Sequence, residues 1–167
     1  MSSPSLPPSS KTSSAAAPTA TPEITVRFAE TDHDAVAIHR FLLVVAGPAM
    51  RCPVNPVKSF EEVCRVIAQE AALMAITDGF LVGTLGIIKP TWWYGDGDFL
   101  TDRWHFVLPD HRHGAVDKAL MEEAYRLAGD AGLEFIDQGK IRERRGKLLM
   151  FPRVHTPSGT LSNHLKD

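Results

Sequence analysis

The sequence predicts one mixed α/β domain built around a strand–loop–helix junction, and three stretches carry that prediction. Residues 103–132 read as an apolar strand over 104–108, a polar loop opening on Pro109, and a long amphipathic helix from about Val116. The first half holds two helices with capping signatures. Between the halves lies a hairpin with Asp78-Gly79 at its tip.

Composition narrows the class. A chain of 167 residues with 44% hydrophobic residues is expected to bury one core, so a single domain over 23–167 is predicted behind a tail. Its net charge of -2 carries no basic bias, and a nucleic-acid partner is not expected. Cys52 and Cys64 are too few for a disulfide framework and read as reduced thiols. Residues 1–22 are rich in Ser, Pro and Ala, with Lys11 the only charged side chain, and lack an apolar run. They read as a disordered tail rather than a signal peptide, and neither a membrane span nor a membrane partner is expected.

Along the chain, Ile24, Val26 and Phe28 alternate with Thr25 and Arg27, which predicts a first strand. Thr31-Asp32-His33-Asp34 fits a capping box, and Ile38, Phe41, Leu42 and Val45 recur at helical spacing up to Gly47-Pro48. Prolines 48, 53 and 56 predict a loop over 50–58, and Ser59-Phe60-Glu61-Glu62 a second helix start. Strands over 72–77 and 80–88 flank the Asp-Gly turn, and Gly83 and Gly86 mark a bulge or a close backbone approach. An aromatic and acidic connection follows over 89–102. Beyond the junction, 133–136 and 148–154 read as strands, 140–147 as a basic run, and 156–159 as a turn before a last short strand.

A strand, a polar loop and a helix start in direct succession aim unpaired backbone N–H groups at an anion, because the first helical turn has no internal acceptors. This points to a phosphate-bearing cofactor. The segment VLPDHRHGAVDKAL also resembles the acyl-coenzyme A signature of the GNAT N-acetyltransferases, V-x-P-x-x-R/Q-x-x-G-x-G/A-x-x-L. Val107, Pro109, Arg112 and Leu120 fit it, while Ala115 and Asp117 stand where the family carries glycines. The resemblance implies a GNAT fold, a mixed and mostly antiparallel sheet with helices on both faces.

The resemblance further implies direct acetyl transfer from acetyl-CoA to an amine in a split between the fourth and fifth strands, with no metal. Val107 and Leu108 would contact the pantetheine, and Arg112, His113, Gly114, Ala115, Val116, Asp117 and Lys118 would wrap the diphosphate. His105 shares a strand face with Val107, and an imidazole suits a general base near neutral pH. A hydrogen-bonded core histidine is the alternative. No tyrosine follows Tyr125, so the departing thiolate would take its proton from water.

Other clusters are open to two readings. Asp96, Asp98 and Asp102 read as amine contacts or as turn and cap residues. Asp110, His111, His113 and Asp117 are metal-ligand types, but an intervening arginine and the lack of a second cluster argue against a metal. Lys140, Arg142, Arg144, Arg145 and Lys147 suit the adenosine 3'-phosphate, an acidic partner or a solvated surface.

The expectation is a cytoplasmic acetyl-CoA-dependent N-acetyltransferase. Set against it is a GNAT-fold binding or structural protein without catalysis, such as a component of a phage virion. That protein would form a homo-oligomer or a larger assembly through its tail and Trp92, Trp93 and Tyr94.

Overall fold

The first strand, β1 (Ile24–Phe28), leads through a short turn into α1 (Asp32–Val45). The capping box forms as expected: Asp34 N–H donates to Thr31 Oγ1 at 3.1 Å and Thr31 N–H to Asp34 Oδ2 at 3.2 Å. Arg27 grips the same carboxylate with two nitrogens, at 2.6 and 3.1 Å. That guanidinium holds the buried Asp34 carboxyl well below the usual carboxylate range, with backbone N–H groups of Glu30 and Thr31 adding to it. The entry to α1 is thereby tied to β1.

In the computed structural model the described residues are 23–45, 47–49, 53–91, 97–112 and 114–137, with the backbone of 142–144, 147–149, 153–155 and 161–162. The tail 1–22, Cys52, the aromatic trio Trp92, Trp93 and Tyr94, Asp96, His113, Lys140 and Arg145 lie outside them.

The second helix departs from expectation. α2 spans Pro56–Gln69, so the last residues of the predicted 50–58 loop are helical. Asn55 is the cap, its Oδ1 accepting from the N–H groups of Val57 and Lys58, both at 3.1 Å. Pro56 then occupies the first helical position, where its missing N–H costs nothing. Ser59, predicted to cap, instead lies inside the helix and donates its hydroxyl to the Pro56 carbonyl at 3.1 Å.

β2 (Ala71–Thr77) and β3 (Phe80–Ile88) form the predicted hairpin, with positive φ at both Asp78 (52°) and Gly79 (80°). β4 spans Phe99–Val107, starting five residues before the predicted strand. Phe99 and Leu100 are buried and Thr101 donates its hydroxyl to the Ile136 carbonyl at 2.6 Å, so burial claims them for the sheet. A short 3-10 turn (Pro109–His111) connects to α3 (Ala115–Ala131), which ends at Gly132 in a left-handed conformation (φ 67°).

β5 (Glu134–Asp137) follows, then β6 (Arg142–Arg144), β7 (Lys147–Leu149), β8 (Arg153–His155) and β9 (Leu161–Ser162). The strand expected over 148–154 is therefore two strands in two sheets. One sheet has the order β1-β2-β3-β4-β5-β8-β9, and β6 and β7 form a separate two-stranded sheet. Every pairing in the larger sheet whose register is described is antiparallel except β4 with β5, which α3 joins as a crossover.

Helices cover both faces of this sheet. On one, Val116, Leu120, Ala124 and Ala128 of α3 pack on Leu73, Leu85, Val107 and Phe135. On the other, Ala35 and Ile38 of α1 and Val63 and Val66 of α2 pack on Ala72, Met74 and Trp104. A bulge in β4 decides which side chain faces which layer. Gly86 pairs with Trp104 but Ile87 with Asp102, leaving Arg103 as the extra residue. Leu100 consequently faces α3 while Trp104 faces α1 and α2, although residues four apart on an even strand share a face.

Candidate functional site

The site begins where β4 and β5 part company. They pair in parallel only through Phe99–Glu134, Leu100–Phe135 and Thr101–Ile136. β5 ends one residue later at Asp137, whereas β4 runs on to Val107. Among the described residues, Arg103 to Val107 have no strand partner on that side.

Their backbone polarity follows from the ladder with β3. Leu108 N–H donates to the Val82 carbonyl at 2.9 Å, which makes 108 and 82 a hydrogen-bonded pair. Pairs alternate along antiparallel strands, and Gly83–Val107 and Leu85–His105 fall at the non-hydrogen-bonded positions. The N–H and C=O groups of His105 and Val107 therefore point away from β3, toward the split. Arg112 reports on that edge, since its Nε donates to the Val107 carbonyl at 3.1 Å. The rest of its exposed guanidinium has no partner among the described residues.

The second half of the site is the start of α3. Gly114 is the cap residue and supplies no side-chain acceptor. The first helical bond is made by Lys118 N–H to the Gly114 carbonyl at 3.3 Å, so the amides of Ala115, Val116 and Asp117 precede the internal ladder. Gly83 of β3 makes this placement possible. A Cβ there would lie 3.0 Å from Val116 Cγ1 and 3.2 Å from Val107 Cγ2. The first turn of α3 can therefore sit against β3 and the end of β4.

The residues named from sequence separate by position. Arg112, Gly114, Ala115 and Lys118 are exposed around the turn, and Leu108 is half-buried beside it. The side chains of Val107 and Val116 are buried in the α3-side core, leaving their backbones as the groups that can meet a ligand. His113 falls outside the described residues. Asp98 is paired with Lys89 at 2.6 Å on the surface before β4. Arg103, not singled out from sequence, reaches Glu62 of α2 at 2.8 Å. Among the described residues, no three His, Cys, Asp or Glu side chains are gathered as a metal site, and no helix is long and apolar enough to cross a membrane.

His105 and Asp117 meet, which the sequence did not foretell. Asp117, in the first turn of α3, places Oδ1 3.1 Å from His105 Nε2. The two are close enough to bond but not aligned for it, and Nε2 is buried without a hydrogen bond. The carboxylate is 43% exposed against 20% for the imidazole, so a rotation of Asp117 is the easier adjustment. The cap residue Gly114 has no side chain to bond the first-turn amides, and among the described residues this carboxylate makes no hydrogen bond to them either.

No protein-family model and no curated protein sequence matches the chain. Solved structures do. A GNAT family acetyltransferase from Brucella melitensis, in complex with acetyl-CoA, superposes with a TM-score of 0.58 at 18% identity over 85% of this chain and 96% of that one. A ribosomal-protein-alanine N-acetyltransferase from Brucella melitensis biovar Abortus gives 0.53 at 20% identity over 68% and 78%. An aminoglycoside N-acetyltransferase in complex with CoA gives 0.55 at 16% identity over 72% and 78%. On the parallel β4–β5 split, the crossover helix and these superpositions, the chain has the fold of the GNAT acetyltransferases.

Proposed function

We propose that this protein transfers the acetyl group of acetyl-CoA directly to an amine, within the split between β4 and β5. The observation that carries the reading is the end of β4–β5 pairing at Thr101–Ile136 while β4 continues for six residues. An extended pantetheine arm could take the hydrogen-bond places a strand would otherwise fill on His105 and Val107. A diphosphate would lie on the amides of Ala115, Val116 and Asp117, with Arg112 beside it, where charge-assisted hydrogen bonds are strongest. Structural neighbours bound to acetyl-CoA and to CoA support this choice of donor.

The chemistry is an attack by the amine nitrogen on the thioester carbonyl. A C–N bond forms, the C–S bond breaks, and the thiolate takes up a proton from water. Backbone N–H groups at the β4 edge suit the developing oxyanion. In this reading His105 takes the proton of the amine, through water given its burial. Cys64, a half-buried free thiol on α2, is given no part, consistent with direct transfer.

The test is release of free thiol from acetyl-CoA in the presence of single amines of different classes: a polyamine, an amino sugar and a peptide N-terminus. Thiol release that requires one of them supports the transferase. Tight binding of acetyl-CoA with no release in any mixture would favour a binding protein without catalysis.

A further inference from the structure

Asp117 poses a problem for any anion at the start of α3, because a carboxylate in the first turn competes for the same amides and repels phosphate. The structure resolves it by geometry. The carboxylate is turned onto β4, 3.1 Å from His105 Nε2, and among the described residues it makes no bond to the amides of its own helix. We propose that His105 is a positioning residue for coenzyme A, holding the Asp117 carboxylate against β4 so that the first-turn amides of α3 stay open to the diphosphate. This rests on the acetyl-CoA reading above and adds to the proton-transfer role given there.

Three features argue for this role. The imidazole Nε2 is buried and, among the described residues, makes no hydrogen bond, and Asp117 Oδ1 at 3.1 Å is an acceptor that a small rotation would bring into line. The neighbouring cations are directed elsewhere: Arg112 puts its Nε on the Val107 carbonyl, and Lys118 lies 3.5 Å from Glu122. β3, which runs beneath His105, has no charged side chain between Phe80 and Ile88 to take over. Without the imidazole, the half-exposed Asp117 would fall back on the nearest donors, the amides of its own first turn, as an acidic residue at that helical position commonly does.

The test is a double-variant cycle read by calorimetric titration of the full chain with acetyl-CoA, alongside turnover. His105→Leu, which has no donor to offer Asp117, is expected to weaken acetyl-CoA binding by about tenfold, and Asp117→Asn alone to tighten it. The double variant, His105→Leu with Asp117→Asn, is expected to regain native affinity or better while its turnover stays low. Rescue of binding without rescue of turnover separates positioning from proton transfer, and shows that the variant chain is folded. The proposal is overturned if His105→Leu binds acetyl-CoA as tightly as the native chain, or if the loss persists in the double variant. Failure of the native chain itself to bind acetyl-CoA removes the function reading and this inference together, whereas native binding with no effect of His105→Leu removes the inference alone.

Discussion

Gly86 of β3 sits beneath the indole of Trp104 on β4, so close that a Cβ on residue 86 would lie 2.6 Å from three of the ring atoms. The ring is pinned from its other end. Trp104 Nε1 donates to Thr84 Oγ1 at 3.2 Å, and that buried hydroxyl donates to the Leu73 carbonyl at 2.9 Å. The pair borders the β4 bulge, one residue from Arg103, so it helps decide which face of β4 each later residue presents. Gly86→Ala must displace the ring or the strand, and is expected to destabilise the fold by about 2 kcal/mol. Urea unfolding followed by tryptophan fluorescence measures it, and an unchanged midpoint would show that the indole is free to move aside.

Asp34 makes acid stability a local matter. Its folded carboxyl is held below the usual range by Arg27, so between the folded and unfolded values the unfolded chain binds the extra proton. The stabilisation is therefore complete above the unfolded value of about 4 and is lost as pH falls toward the folded one. Because Arg27 is 44% exposed, solvent screening limits the contribution, and Asp34→Asn, whose remaining oxygen can still accept from the Glu30 and Thr31 N–H groups, is expected to cost about 1 kcal/mol at neutral pH. Melting temperatures of native and variant chains should converge as pH drops below about 4. A constant gap down to pH 2 would assign the effect to packing instead.

Gly114 offers a way to trade binding for stability. Its φ of -114° suits any residue, and a Cβ there would meet only the His111 carbonyl, at an ordinary 3.6 Å. Gly114→Asp should cap α3 and raise stability by a few tenths of a kcal/mol up to about 1 kcal/mol. The same carboxylate would occupy the first-turn amides, so acetyl-CoA affinity should fall about tenfold or more. Thermal unfolding and calorimetric titration on one sample check both halves. A stabilised variant with native affinity would remove those amides from the binding site.

What could be read from the sequence was what neighbours along the chain decide. The Thr31–Asp34 box and the Asp78-Gly79 turn are complete within four residues, and both formed where expected. Asn55-Pro56 competes in the sequence with the Ser59–Glu62 signature, and only the Asn55 side-chain bonds decide between them. The early start of β4 was hidden because Phe99 and Leu100 follow a Gly- and Asp-rich stretch, and their strand character comes from pairing with β5.

The site shows the same boundary. Strand alternation placed His105 on the face of Val107, and that face is the one α3 covers. Alternation could not say which residue of α3 lies above it, since that depends on how the helix settles against Gly83. Nor could it show where β4 and β5 separate, because that register is set by the crossover. Gly86 does mark the bulge, which falls between it and Ile87, but a glycine on β3 does not say that Arg103 of β4 is the extra residue that reaches Glu62.

Backbone amide shifts during an acetyl-CoA titration test most directly whether the outer edge of β4 and the first turn of α3 together hold coenzyme A. The largest changes are expected on His105, Val107 and residues 115–117, with the hairpin turn at Asp78-Gly79 unmoved. Saturable binding whose shifts cluster elsewhere, or no shifts at all, would contradict it.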